Sequence, residues 1–274
     1  MQKFAIFALG ASILATVANA QVVELPESFN RFDISGVKLG DSPDTIIATL
    51  TERGFECDFS KMMNSDGTVI NSNGHAGTME CETTDHVQSH RGPIHRAEMT
   101  LDFGNLDLSG TGTDASKVFA TYIKFSENYP DQPNIETMNA RLTGKYGELD
   151  YNNYNKTWSK TGSSSPDLEE RHAAYTDQEK QCDGLPRAER IAKFECSLKE
   201  AELHYAYLAG RPANLTARYW IGSNSYYSSI EITAHWTHWD AVRSIRRTAA
   251  VTEELLAEAK AAPPEIDENV ETTF

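Results

Sequence analysis

The sequence predicts an α+β fold of two helix-plus-antiparallel-sheet modules closed by a C-terminal helix, and three observations carry that prediction. One helix has both its ends written into the chain, alternating strands follow it, and the same order of elements then returns. In the first helix, Ser42 is placed to cap the free amides, Pro43 suits the first helical position, Asp44 complements the positive end of the dipole, and Gly54 suits a left-handed stop. Ile46, Ile47 and Leu50 supply its buried stripe. Next, Ala97, Met99, Leu101 and Phe103 alternate with Arg96, Glu98, Thr100 and Asp102, the period of a strand with one face in the core and one in water. A further strand is expected over residues 118–125. Segments 64–77 and 105–114, rich in Gly, Ser, Asn and Thr, are the expected connections of an antiparallel meander.

The order then repeats. Residues 135–147 lie on residues 43–55 at a constant offset, so that Thr45, Ala48, Leu50 and Thr51 meet Thr137, Ala140, Leu142 and Thr143. Asp44 faces Glu136, Ile46 faces Met138 and Arg53 faces Lys145, which keeps charge and apolarity in register. The second half is strand-rich over 155–160, 203–209, 215–221 and 226–236, with a polar insertion over 161–190. A last helix over 240–262 carries Ala241, Ile245, Thr248, Val251 or Thr252, Leu255 and Ala259 on one stripe and stops at Pro263-Pro264. Its Arg243, Arg246 and Arg247 oppose the helix dipole, which points to an acidic group, most simply on the protein's own body and otherwise on a partner.

The first twenty residues have a positive start, an apolar run too short to span a bilayer, and Ala18-Asn19-Ala20, the pattern of a signal peptide cleaved after Ala20. The expected organisation is a signal peptide (1–20), a first module (21–130), a second module with its insertion and helix (131–262), and a disordered acidic tail (263–274). The expected address is the bacterial periplasm or beyond. Beyond the leader lie 24 basic against 40 acidic side chains, a net charge of −16, which disfavours nucleic acid and anionic lipid as partners. No later stretch is apolar enough for a membrane span in the mature form. All four cysteines, Cys57, Cys81, Cys182 and Cys196, follow the leader, where an oxidising compartment lets them pair. Chain order favours Cys57 with Cys81 and Cys182 with Cys196, each closure stabilising by about 3 kcal/mol in the chain-entropy model. The rival four-thiolate metal site lacks Cys-x-x-Cys spacing.

No catalytic signature of established mechanics is present: there is no Gly-x-Ser-x-Gly elbow, phosphate loop, His-Glu-x-x-His or dinucleotide fingerprint, and no cofactor is expected. Two candidate sites remain. His75, His86, His90 and His95 crowd one loop-rich stretch and suit zinc or copper, against the plainer reading of exposed loop histidines. Tyr227, Ser229, Glu231, Thr233 and His235 occupy the strand face opposite the Ile230–Trp236 stripe. Tyr227, Glu231 and His235, with Trp239, are the candidate binding residues of that polar surface.

The segment Gly36-Val37-Lys38-Leu39-Gly40-Asp41-Ser42-Pro43-Asp44, running into a helix that ends in Gly54-Phe55, resembles the leading motif of small envelope proteins of the BamE/SmpA type. Similar modules, sometimes in tandem, occur in beta-lactamase inhibitor proteins. The resemblance covers about twenty residues, with an echo near 135–147, and lacks the lipidated cysteine of the lipoprotein members. It implies helices packed on an antiparallel sheet and a role in binding another envelope protein, without catalysis. The alternative is a secreted metal-binding protein or hydrolase that uses the histidine-rich loop.

Overall fold

The computed structural model describes residues 32–59, 61, 75–105, 118–186, 189–221 and 226–261. The expected signal peptide, most of the expected loops 64–77 and 105–114, and the expected acidic tail lie outside these residues. The chain is α+β, with antiparallel sheets and a C-terminal helix. A ribbon of β1 (Asp33–Ile34) and β2 (Val37–Lys38) leads into helix α1 (Pro43–Thr51) and strands β3 (Phe55–Asp58) and β4 (His75–Thr83). A small hairpin, β5 (His86–Ser89) and β6 (Gly92–His95), precedes the long strands β7 (Ala97–Asn105) and β8 (Val118–Tyr129). The second half comprises α2 (Ile135–Tyr146), β9 (Asp150–Asn152), β10 (Thr157–Thr161), α3 (Leu168–Asp183), α4 (Arg190–Ala209), β11 (Asn214–Ile221), β12 (Ser228–His235) and α5 (Trp239–Ala261).

Eight strands form one sheet in the order β3-β4-β7-β8-β12-β11-β10-β9. Each half thus contributes a helix followed by four strands of the sheet, and the last strand of each half, β8 and β12, pair at its centre. The core is shared across that seam. Ile46, Leu50, Met79, Leu101 and Phe125 from the first half join Met138, Leu142, Trp158, Ile230 and Ala234 from the second in one buried cluster. The alternation of strand side chains gives the sheet two unlike faces: an apolar face under α1 and α2, and a polar face on the other side.

The helix signals act as the sequence reads. Ser42 accepts from the Thr45 amide at 3.3 Å, and Asn134, at the same offset, accepts from the Thr137 amide at 2.8 Å. Gly54 takes φ 81° just after α1, a conformation costly for a residue with a Cβ. Ile46 and Leu50 of α1, and Met138 and Leu142 of α2, are the buried helical positions and correspond pairwise.

One strand expected in the second half is a helix. Residues 203–209, expected as a strand, are the last turns of α4. The polar insertion holds α3, which packs on α4 and is tied to it by the disulfide Cys182–Cys196. The other disulfide joins Cys57 and Cys81, directly opposed on β3 and β4 and facing the core. In α5 the expected stripe holds at Ile245, Thr252, Leu255 and Ala259, which are partly covered, and fails at Ala241 and Thr248, which are exposed and whose places are taken by the buried Val242 and the partly covered Ala249. Arg243 pairs with Asp240 of its own helix at 3.2 Å, and Arg246 lies over the ring of Tyr205 on α4 at 5.7 Å. An aromatic face therefore replaces the expected acidic group at Arg246.

Candidate binding face

The polar face of the sheet is organised in rows, because antiparallel register sets one outward residue of each strand opposite its neighbours. One row crosses all eight strands: Glu56, Glu82, Glu98, Ser126, Glu231, Arg218, Thr157 and Asn152. The next contains Asp58, Glu80, Thr100, Lys124, Thr233 and Thr216. The first half of the face is therefore acidic and the second half neutral to mixed.

Some of this charge is paired. Lys61 meets Glu80 at 2.6 Å, His95 Nε2 meets Glu82 at 3.1 Å, and Lys124 meets Glu231 at 2.7 Å across the central seam. The hydrogen bond to Glu231 holds the Lys124 ammonium above its ordinary pKa. Thr78 donates to Asp102 at 2.8 Å. Glu56 and Glu98, which flank Glu82 on either side, make no ion pair among the described residues.

On the far side of the seam, Arg218 lies over the Trp220 ring at 4.8 Å, and Trp220 remains 38% exposed. Tyr226, 69% exposed, precedes β12 and shares the alternation of Ser228 and Ile230, so it does not belong to this face. Each end of the face is bounded. At one, the Asn128 side-chain amide donates to the carbonyl of His95 at 2.9 Å and fixes the base of the β5–β6 hairpin. At the other, Trp239 begins α5 packed over Gly104, with its ring edge-on to Phe119 at 5.0 Å.

The candidate binding residues separate on this frame. Glu231 and His235 lie on the polar face, and Tyr227, half-buried, continues their alternation just before β12. His235 sets its ring edge-on against Tyr122 at 5.4 Å; burial pushes its pKa below the ordinary histidine value, opposed by Asp240 and Asp102. Trp239 does not join them. It is 3% exposed and serves as the anchor of α5, because its ring fills the space that Gly104 leaves without a side chain.

The histidine set is only partly assembled. His86 and His95 are opposed across the hairpin, with ring centroids 4.4 Å apart, whereas His90 sits at the hairpin's turn. His95 is also engaged elsewhere, Nδ1 donating to the carbonyl of Thr83 and Nε2 facing Glu82. His75 begins β4, and its side chain lies outside the description. Among the described residues, no group of three or more His, Cys, Asp or Glu side chains is arranged to hold a metal ion.

The acidic row was the part that sequence reasoning missed. Glu98 and Asp102 were visible as outward residues of β7, but Glu56, Glu80 and Glu82 acquire meaning only once residues 55–58 and 78–83 are recognised as its neighbouring strands. Comparison with protein-family models, with curated proteins and with solved structures finds no match for the chain.

Proposed function

We propose that this protein is an exported binding module that holds another envelope protein on the polar face of its sheet, through a basic segment of the partner laid across β3, β4 and β7. The observation that carries the reading is the row Glu56–Glu82–Glu98. Like charges directly opposed on adjacent strands destabilise a sheet, and among the described residues no lysine or arginine makes an ion pair with these three glutamates: Glu82 meets the His95 imidazole, and Lys124, within the field of Glu98, is bonded to Glu231. A lysine- or arginine-bearing segment turns that repulsion into attraction and steers encounter. Trp220, exposed on the same polar face beyond the seam, supplies an amphipathic ring of the kind that anchors protein contacts. The expected signal peptide, the two disulfides and the resemblance of residues 36–55 to BamE/SmpA-type proteins support an envelope setting. No helix among the described residues is long and apolar enough to cross a membrane.

The test is capture by residues 21–274 from an envelope extract, with carbodiimide crosslinking to join carboxylates directly to partner lysines. Crosslinks are expected on Glu56, Glu82 or Glu98. Capture is expected to fall in about 0.5 M salt, where charges are screened beyond roughly 4 Å, and in the variant Glu56→Lys/Glu98→Lys. Capture that survives both, or that maps to the helix-covered side of the sheet, overturns the reading.

A further inference from the structure

A cavity of about 150 Å³ lies between α2, the central strands β8 and β12, and the turn of the β1–β2 ribbon. It is on the helix-covered side of the sheet, away from the proposed binding face. Its floor is apolar, with Met138 and Leu142 from α2 above Phe125, Ile230 and Ile232. An apolar cavity of about this volume takes up a molecule the size of benzene, so one branched aliphatic or small aromatic group fills it. Pockets for larger ligands start near 300 Å³.

The lining is not apolar throughout. Glu127 and Arg141 both line the cavity, yet they form no ion pair with each other. Arg141 is exposed, lies 5.5 Å from the Tyr129 ring centroid and also donates to the Tyr129 hydroxyl, which engages one of its five N–H groups and leaves the others for a ligand. Glu127 accepts from Tyr129 Oη on one oxygen only, and its second oxygen keeps acceptor capacity. Burial, reinforced by Glu127, raises the Tyr129 pKa and keeps the phenol protonated as that donor. The other cation of the lining, Lys145, is already paired with Asp33 at 3.4 Å. Two opposite charges that share a cavity without touching, over an apolar floor, match a ligand that carries both counter-charges and one compact apolar group.

We infer that this cavity is a binding site for a free apolar α-amino acid, with the ammonium on Glu127, the carboxylate on Arg141, and the side chain on the floor formed by Met138, Leu142 and Ile232. Guanidinium and carboxylate match as a bidentate pair, which gives the site its orientation. The inference does not depend on the sheet-face reading, since the two sites lie on opposite sides of the sheet.

Titration of residues 21–274 with L-leucine, followed through the methyl signals of Met138, Ile230 and Ile232, tests it. Saturable shifts confined to those methyls are expected. L-leucinamide, which lacks the carboxylate, and N-acetyl-L-leucine, which lacks the ammonium, are each expected to bind weaker by about tenfold or more, the loss of one charge-assisted contact. Arg141→Gln, at an exposed position, is expected to remove the preference for leucine over leucinamide while the fold is retained. Ile232→Phe, which fills the floor, is expected to abolish binding, with circular dichroism verifying that the sheet persists. No saturable shift, shifts scattered over other methyls, or equal binding of leucine and either derivative overturns the assignment.

Discussion

Gly104→Ala is the sharpest test of how the helical part of the molecule is joined to the sheet. A Cβ at this position lies 2.6 Å from both Cε2 and Cζ2 of Trp239 and 2.9 Å from Cγ2 of Thr121. Carbon atoms pack at about 3.5–4.0 Å, so the indole must retreat by roughly 1 Å. It has nowhere to go, being 3% exposed and held by Phe119 at 5.0 Å and Trp236 at 5.7 Å, both ring-centroid distances. An indole is rigid, and overpacking of this kind costs about 1–3 kcal/mol; the rigidity places the expected loss at about 2–3 kcal/mol. For a chain of this length that is a fall in Tm of roughly 4–12 °C. Urea or thermal unfolding of Gly104→Ala, Trp239→Leu and the double variant forms a cycle that isolates the clash. In the Trp239→Leu background the alanine is expected to cost much less, the remainder coming from the 2.9 Å approach to Thr121 Cγ2. If Gly104→Ala unfolds within about 0.5 kcal/mol of the parent, or costs the same with and without the indole, the packing argument is wrong.

Two further outcomes follow from the cysteines and histidines. Replacing both Cys57 and Cys81 by alanine is expected to lower unfolding stability by about 3 kcal/mol, measured in urea, since the bridge closes a loop across 24 residues of sequence. Burial holds His235 and His238 below the ordinary histidine pKa of 6.5, with Arg211 and His235 also lowering His238. Their unfolded forms therefore bind protons first on acidification, so the stability they contribute is full above about pH 6.5 and is lost as pH falls through the folded values. Tm is expected to drop less between about pH 7.5 and about pH 5.5 in His235→Gln/His238→Gln than in the parent, and an equal drop would sink the assignment.

Where local chemistry decides the structure, the sequence is readable. Ser42, Pro43 and Gly54 bound α1 because each satisfies a requirement met within three or four residues, and Asn134 repeats the capping for α2. The strands with strict alternation, β7 and β12, are legible for the same reason. The arm of α3 and α4 is not. Leu203, Tyr205, Tyr207 and Ala209 fall at a spacing of two and imitate a strand, but they close a helix that packs between α3 and α5 and buries Leu208 and Ala209 side by side in sequence. Tertiary packing overrides local pattern there. In α3 no apolar stripe exists to be read: its buried positions are Gln178 and Cys182, and the Gln178 amide donates to the sulfur of Cys196 at 3.0 Å. The acidic row and the cavity were hidden more deeply, because a row such as Glu56–Glu82–Glu98 is a property of register between segments far apart in the chain.

That row also allows function to be separated from stability. Glu56→Gln/Glu98→Gln keeps the shape of both side chains, leaves the Glu82–His95 contact intact, and removes both like-charge oppositions. All three glutamates are exposed, so solvent screens them and the gain in stability is expected to be only a few tenths of a kcal/mol. The gain should shrink in about 0.5 M salt, because screening already relieves the parent. If the row exists to meet a basic segment, the same double variant, more stable as an isolated protein, must capture its partner less well. A rise in stability together with a loss of capture is the signature of charge retained for binding. A variant that gains stability and captures as before would show that the glutamates only keep the face wet, and the partner's contact would then have to be sought at Trp220.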